Sequence, residues 1–287
     1  MYTARIENAQ GESLQLSQRE DLWQITDIDG LGPVSATVHM TDLAGLDGAR
    51  FNSANLTTRN IVITLVLRGD VEANRQRIYR FCRTKELCTV YFENNYRSVY
   101  AAGYVDNVDV DLFQRSEKIQ ISIICPDPYF YASASSSSAI THSHPLFEFP
   151  FAIDDDEPVE FSSYAEGEGA RVLNSSETST GIIVKLSFTA AASNVTIENV
   201  TTGEHITLAY EFLAGDIVTI NTNPGQKAIR LKRGDADTNI FSAMDILESS
   251  FIQLASGQNI INITVDGEGG EGVVSATLSY SEKYRGV

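Results

Sequence analysis

The sequence predicts a mainly β protein in two parts: an N-terminal β-sheet domain with one main helix, then a C-terminal antiparallel β-sandwich. Three observations point there. Helical periodicity occurs once with conviction, over residues 71–86; short apolar runs punctuated by turns fill most of the rest; and composition changes near a serine run at 135–138. Residues 1–145 carry 13 basic and 17 acidic groups, whereas residues 146–287 carry 8 and 21. A chain of 287 residues is long enough for two cores, and the expected domains are 1–140 and 141–287.

In chain order, ATVHM and NIVITLVLRGD alternate as strands, with an Asp47-Gly48 turn in LDGARF between them. In VEANRQRIYRFCRTKE, Val71, Ile78, Phe81 and Cys82 fall on one side at helical spacing, while Arg75, Arg77, Arg80, Arg83 and Lys85 spread over the remainder. CTVYFE, SVYAAGYVDNVDVDLF and KIQISIIC resume the strands. The last runs into CPDPYFY, where Pro126 and Pro128 lack ladder donors and stop a central strand. Tyr129, Phe130 and Tyr131 are too apolar for a free linker and form an expected aromatic clasp. The serines that follow read as the seam. Beyond it, EFPFAI, GARVLN, GIIVKLSF, NVTIENV, EHITLAY, DIVTINT, KAIRLK, FIQLA, NIINITVD and VVSATLSY recur at the spacing of an antiparallel sandwich.

Composition narrows the function classes. The net charge of −17, concentrated in the second half, repels phosphate backbones, so no nucleic acid is expected there. No apolar run reaches the roughly 18 residues of a membrane span, and MYTARIENAQGESLQL does not read as a signal peptide. Cys82, Cys88 and Cys125 have neither metal-ligand nor disulfide spacing.

The motifs that could carry chemistry are weak. Gly267, Gly269 and Gly272 satisfy the dinucleotide pattern, yet a strand follows them instead of the helix that would meet a phosphate. His142 and His144 lack partner ligands at a zinc spacing. Asp154, Asp155, Asp156 and Glu157 lack the glycine-bent geometry of a calcium loop. No Gly-x-Ser-x-Gly elbow occurs, and nothing singles out a carboxylate pair. The basic helix with Tyr79 and Phe81 reads as a solvated amphipathic helix docked on a sheet, with an RNA-binding surface as the other reading. No enzyme, cofactor or metal is expected.

An ordered set of segments carries a resemblance across nearly the whole chain: DGARF, RNIVITLVLRGD, NRQRIY and CPDPYFY in the first half, then FEFPFAI, LNSSETSTG, LAGDIVTINTNPGQKAIRL, FIQLASGQNIINITV and ATLSYSEKYRGV. Together these resemble the phage distal tail proteins of the siphophage tail-component family. The resemblance implies a ring-forming N-terminal belt domain, a C-terminal galectin-like sandwich and no catalysis. It implies a structural part of a virion tail tip, made in the bacterial cytoplasm: a hexameric ring between tail tube protein and baseplate hub. The outer sandwiches would face fibres or receptor-binding proteins. On this reading Pro126, Asp127, Pro128, Tyr129, Phe130 and Tyr131 fasten the domain junction, although the aromatics can equally be local core. The helix bearing Arg75, Arg77, Arg80 and Arg83, set among Asp70, Glu72, Asp109 and Asp111, is the candidate ring contact. The alternative function is carbohydrate binding by the sandwich, with Tyr164 or Tyr210 replacing the tryptophan that this half lacks. A glycoside hydrolase on the same fold is a third reading.

Overall fold

The computed structural model describes residues 2–17, 21–45, 47–112, 117–140, 143–145, 162–164, 169–266 and 273–287; for 138–140, 143–145 and 162–164 only the backbone is considered. Two compact units form, Met1–Ala134 with Lys283–Val287, and Ser135–Glu282.

The first unit is built from β1 (Thr3–Asn8), β2 (Ser13–Gln15), β3 (Trp23–Asp29), β4 (Ala36–Asp42), β5 (Ala49–Leu56), β6 (Arg59–Leu67), α1 (Val71–Phe81), β7 (Leu87–Glu93), β8 (Ser98–Val110), β9 (Lys118–Cys125) and β10 (Phe130–Ala132). Its main sheet runs β2-β1-β7-β8-β9-β6-β3, every pairing antiparallel. Alternation places Ile61, Ile63, Leu65, Ile119, Ile121 and Ile123 on the buried face, as period-two strands with one covered side require. Trp23 is fully buried there and its indole N–H donates to the Leu16 carbonyl at 3.0 Å.

Helix α1 docks through buried Asn74 and Ile78. Asp70 caps its start by accepting from the Ala73 N–H at 3.1 Å. The helix is five residues shorter than its sequence signal. Cys82 leaves helical geometry, Lys85 takes a φ of 71°, and the Lys85 N–H donates to Val105 at 2.8 Å. Pairing with β8 therefore overrides the helix propensity of RTKE.

The second unit contains β11 (Ser136–Ile140), β12 (Ser143–Pro145), β13 (Ser162–Tyr164), β14 (Ala170–Asn174), β15 (Thr180–Gly181), β16 (Ile183–Phe188), β17 (Ala192–Asn199), β18 (Glu204–Phe212), β19 (Ile217–Asn221), β20 (Ala228–Arg233), β21 (Ala236–Asn239), β22 (Gln253–Leu254), β23 (Gly257–Asp266) and β24 (Val274–Tyr280). One sheet runs β11-β24-β16-β19-β20-β21 and another β14-β23-β17-β18. Inward residues of both, including Val184, Leu186, Ile220, Ile197, Leu208 and Ile263, share one core, which makes the unit an antiparallel sandwich. Phe188 and Phe212 stack at 4.5 Å. Asn174, Asn199 and Asn259 are fully buried and bind the backbone of Gln253, Leu254 and Ala255 at 2.8–3.1 Å. Buried amides need such partners, and these fix the segment that leads into β23.

Two differences from the sequence reading concern the seam. The division falls after Ala134, not after 140, because Ser136–Ile140 pairs with β24 as an edge strand. A ladder uses backbone N–H and C=O groups, which serine supplies as well as any residue. A short last strand, β25 (Lys283–Tyr284), pairs with β10 and belongs to the first unit.

Candidate functional site: the Arg59 clasp and the arginine helix

The Pro-Asp-Pro stretch is a break within one track, not the end of a sheet. Strand β9 lies along the second half of β8, from Tyr104↔Ile124 to Val110↔Ile119; β10 then takes up the first half, with Tyr131↔Tyr100 and Ala132↔Val99. The handover occurs at Gly103, where an added Cβ would stand 2.7 Å from both Cys125 Sγ and the Ile124 carbonyl. Asp127 holds the turn: its carboxylate accepts from the Tyr129 N–H at 3.0 Å and from the Tyr131 hydroxyl. Burial and this neighbouring carboxylate push the Tyr131 phenol above its ordinary range.

Arg59, the first residue of β6, gathers the unit at this point. It is fully buried. Its Nε donates to Pro128 O at 2.9 Å, Nη1 to Gly32 O at 2.7 Å and also to Gly30 O, and Nη2 to Arg285 O at 2.7 Å. The guanidinium lies 4.1 Å above the Phe130 ring, and Phe130 meets Phe92 edge-on at 5.9 Å. Burial lowers the pKa of Arg59, with Cys125 and Asp127 opposing the shift. One cation thus ties three segments distant in sequence, residues 30–32, the break, and 283–287. The Val287 N–H adds a bond to Leu31 O at 3.1 Å.

On one sheet face, register aligns Arg5, Tyr91, Tyr100, Tyr131 and Lys283 in a single row. Arg5 sits 4.1 Å over Tyr91, and successive tyrosine rings are 5.8 Å apart. Lys283 lies 5.5 Å from the Tyr131 ring centre. Cross-strand cation–aromatic contacts of this kind stabilise a sheet.

The six predicted junction residues therefore fall together, all in the first unit. Pro126 and Asp127 are exposed, Pro128, Tyr129 and Tyr131 half-buried, and Phe130 is core. Sequence reasoning missed Arg59 and residues 283–287; an arginine opening the apolar run NIVITLVL was the available signal.

The predicted helix arginines do not act alike. Arg75 is half-buried and paired with Glu72. Arg77, Arg80 and Arg83 are exposed. Arg80 donates to Gln76 O at 3.3 Å, and Arg83, beyond the helix end, lies 3.6 Å from Glu86. Asp109 and Asp111 are exposed.

Among the described residues no cluster of His, Cys, Asp or Glu could hold a metal ion. Cys82, Cys88 and Cys125 are buried free thiols. Burial pushes Cys82 and Cys88 up to about 12 and Cys125 up to about 11, far from a reactive thiolate. His142, the acidic run 154–157, the segment EFPFAI expected as a strand and the glycines of 267–272 lie outside the described residues, as do the side chains of His144 and Tyr164. Tyr210 is half-buried and packs on the core, 5.3 Å from Phe212. No described helix is long and apolar enough to cross a membrane.

Comparison with known proteins places both units in one class. Residues 10–125 match the phage tail protein RIFT-related domain, and residues 175–284 the siphovirus-type tail component, C-terminal domain. The Dit protein of phage SPP1, described as a paradigm of hub adsorption apparatus in Gram-positive infecting phages, is similar in fold: TM-score 0.69 and 14% identity over 99% of each chain. A chain of the phage P2 baseplate in its activated conformation with Ca is also similar, with TM-score 0.55 and 14% identity over 100% of each chain. No curated protein matches. One family domain in each unit, together spanning most of the sequence, shows that this chain belongs to the siphophage tail-component family of phage distal tail proteins.

Proposed function

We propose that the chain forms a hexameric ring at the tail tip, joining the tail tube protein to the baseplate hub through its first unit. The second unit faces outward as a platform for fibres or receptor-binding proteins. The observation that carries this reading is the division of charge. The first unit has 15 basic and 17 acidic residues, a balance of −2; the second has 6 and 21, a balance of −15. Six copies of a strongly acidic unit repel one another around an axis and belong at the periphery, where solvent screens them. A near-neutral unit can close heterologous contacts, and Arg77, Arg80 and Arg83 are exposed and available to them.

The role is structural and not catalytic, in keeping with the tail and baseplate proteins whose fold the chain shares. Reversing Arg77, Arg80 and Arg83 to glutamate in the full chain tests the helix. Loss of ring formation beside the tail tube protein, with unchanged folding, supports the contact; intact rings remove it. Sugar binding by the second unit is the competing reading, and a glycan array on the full chain decides it. Specific binding lost on Tyr164→Ala or Tyr210→Ala would establish that alternative.

A further inference from the structure

The first unit is discontinuous in sequence. Residues 283–287 belong to it, and the whole second unit, 135–282, is inserted before them. The five residues are engaged one after another. Lys283 and Tyr284 pair with Tyr131 and Phe130 as β25 on β10, and buried Lys283 lies 5.7 Å from the Tyr129 ring centre. Arg97 stands 4.3 Å over the Tyr284 ring and donates from Nη1 to Gly286 O at 3.3 Å. Arg285 O accepts from buried Arg59, and the Val287 N–H donates to Leu31 O. Gly286 packs so closely that an added Cβ would stand 3.1 Å from Leu31 O. Residues 30–33, held in this way and by Arg59, lead into the ribbon of β4 and β5, whose strands pair with each other.

The Arg97–Gly286 and Arg59–Arg285 bonds join residues 189 and 226 positions apart. The second unit bridges that distance by folding its own ends together: its first and last strands pair, with Ser136 opposite Tyr280. Only Ser281 and Glu282 then separate Tyr280 from Lys283, and residues 132–135 separate Ser136 from Tyr131. A folded second unit therefore returns Lys283 to within a few residues of β10. Unfolded, it leaves a flexible loop of about 150 residues, and closing that loop is less favourable by a factor on the order of 1000, the three-halves power of its length. The contacts of 283–287 favour the folded first unit by roughly 30- to 1000-fold, no more than that closure takes away.

We infer that residues 283–287 are a latch that closes only on a folded second unit, so that the first unit is completed after the second. An open latch takes an acceptor from Arg59, a neighbouring strand from β10 and the Val287 bond from segment 30–33. Synthesis runs toward residue 287, so a chain whose second unit fails to fold keeps an incomplete first unit. Resting on the ring reading, the latch screens such chains out before their first units enter a ring.

The test is a double-mutant cycle in the full chain. Ile220→Asp puts a carboxylate into the core of the second unit, where Ile220 is fully buried, and should leave that unit unfolded. Circular dichroism verifies its loss while Trp23 fluorescence follows the first unit. The Trp23 unfolding equilibrium should shift by roughly 30- to 1000-fold, as on deletion of 283–287, and the two changes together should shift it no further. Should the Ile220→Asp chain precipitate, Leu186→Ala with Ile220→Ala gives the same comparison above the melting temperature of the second unit. A Trp23 transition unmoved by loss of the second unit, or two shifts that add, overturns the latch. Mixed with unsubstituted chain and the tail tube protein, the Ile220→Asp chain should be lost from the rings; equal uptake overturns the screening. Absence of rings from the unsubstituted chain overturns the ring reading, and the Trp23 cycle still decides the latch.

Discussion

Replacing Arg59 by alanine should unfold the first unit selectively. The side chain donates to four carbonyls, of Gly30, Gly32, Pro128 and Arg285, and covers Phe130. Hydrogen bonds to a charged group contribute about 1.5–3 kcal/mol each when removed singly. They share one donor whose desolvation is itself costly, so they do not add, and a net loss of about 3–5 kcal/mol is expected. At about 3 °C per kcal/mol for a unit of this size, the transition falls by roughly 10–15 °C. Trp23 is the only tryptophan and is fully buried in the first unit, so its fluorescence follows that unit alone while circular dichroism follows both. Arg59→Lys keeps the charge but not the planar fork, and should lose about 2 kcal/mol. A loss below about 1 kcal/mol for Arg59→Ala, or an equal shift of both units, would refute the clasp.

Other outcomes follow from the same geometry. Deleting residues 283–287 removes β25 and the Arg285 and Val287 contacts; the Trp23 transition should fall by about 2–4 kcal/mol, and an unchanged transition argues against their structural role. A fragment of residues 135–282 should melt cooperatively, whereas 146–282, which lacks β11, should melt lower; equal melting would make the serine strand dispensable. In the native chain Cys82, Cys88 and Cys125 should resist thiol reagents at mildly alkaline pH and react only as Trp23 becomes exposed; fast native labelling of any of them contradicts their burial. Asp216 accepts from Arg233 Nε at 2.9 Å and Nη2 at 2.6 Å, and from the Leu213 N–H at 2.9 Å. These bonds hold its pKa below the ordinary carboxylate value. Its contribution is therefore complete above the unfolded value of about 3.9 and is lost as pH falls through the lower folded value. The second unit should weaken in that acid window, and Asp216→Asn should flatten its acid limb; an unaltered acid limb would deny Asp216 that part.

Much of the fold was legible because periodicity reports one-sided burial. NIVITLVL, CTVYFE and KIQISIIC alternate as the buried strands they form. Strands held mainly by backbone pairing were not legible. SSSAI becomes β11 although serine contributes little packing, and KY becomes β25 by pairing with a strand far away in sequence. The candidate site divides in the same way. Proline and aspartate chemistry marked 126–131 as special. Only long-range pairing shows that the break hands one side of β8 from β9 to β10. Arg59 escaped notice because its partners are carbonyl oxygens, which every residue has and no side-chain pattern reveals. The ribbon illustrates the converse: ATVHM reads as an ordinary strand and LDGARF as the turn that follows it, yet β4 and β5 pair with each other and stay exposed along their length.

Imaging the full chain assembled with the tail tube protein and the baseplate hub tests the ring most directly. Six-fold rings are expected, with the near-neutral first units around the channel and the acidic second units projecting outward. Rings with the acidic units lining the channel, or no closed ring beside either partner, would contradict it.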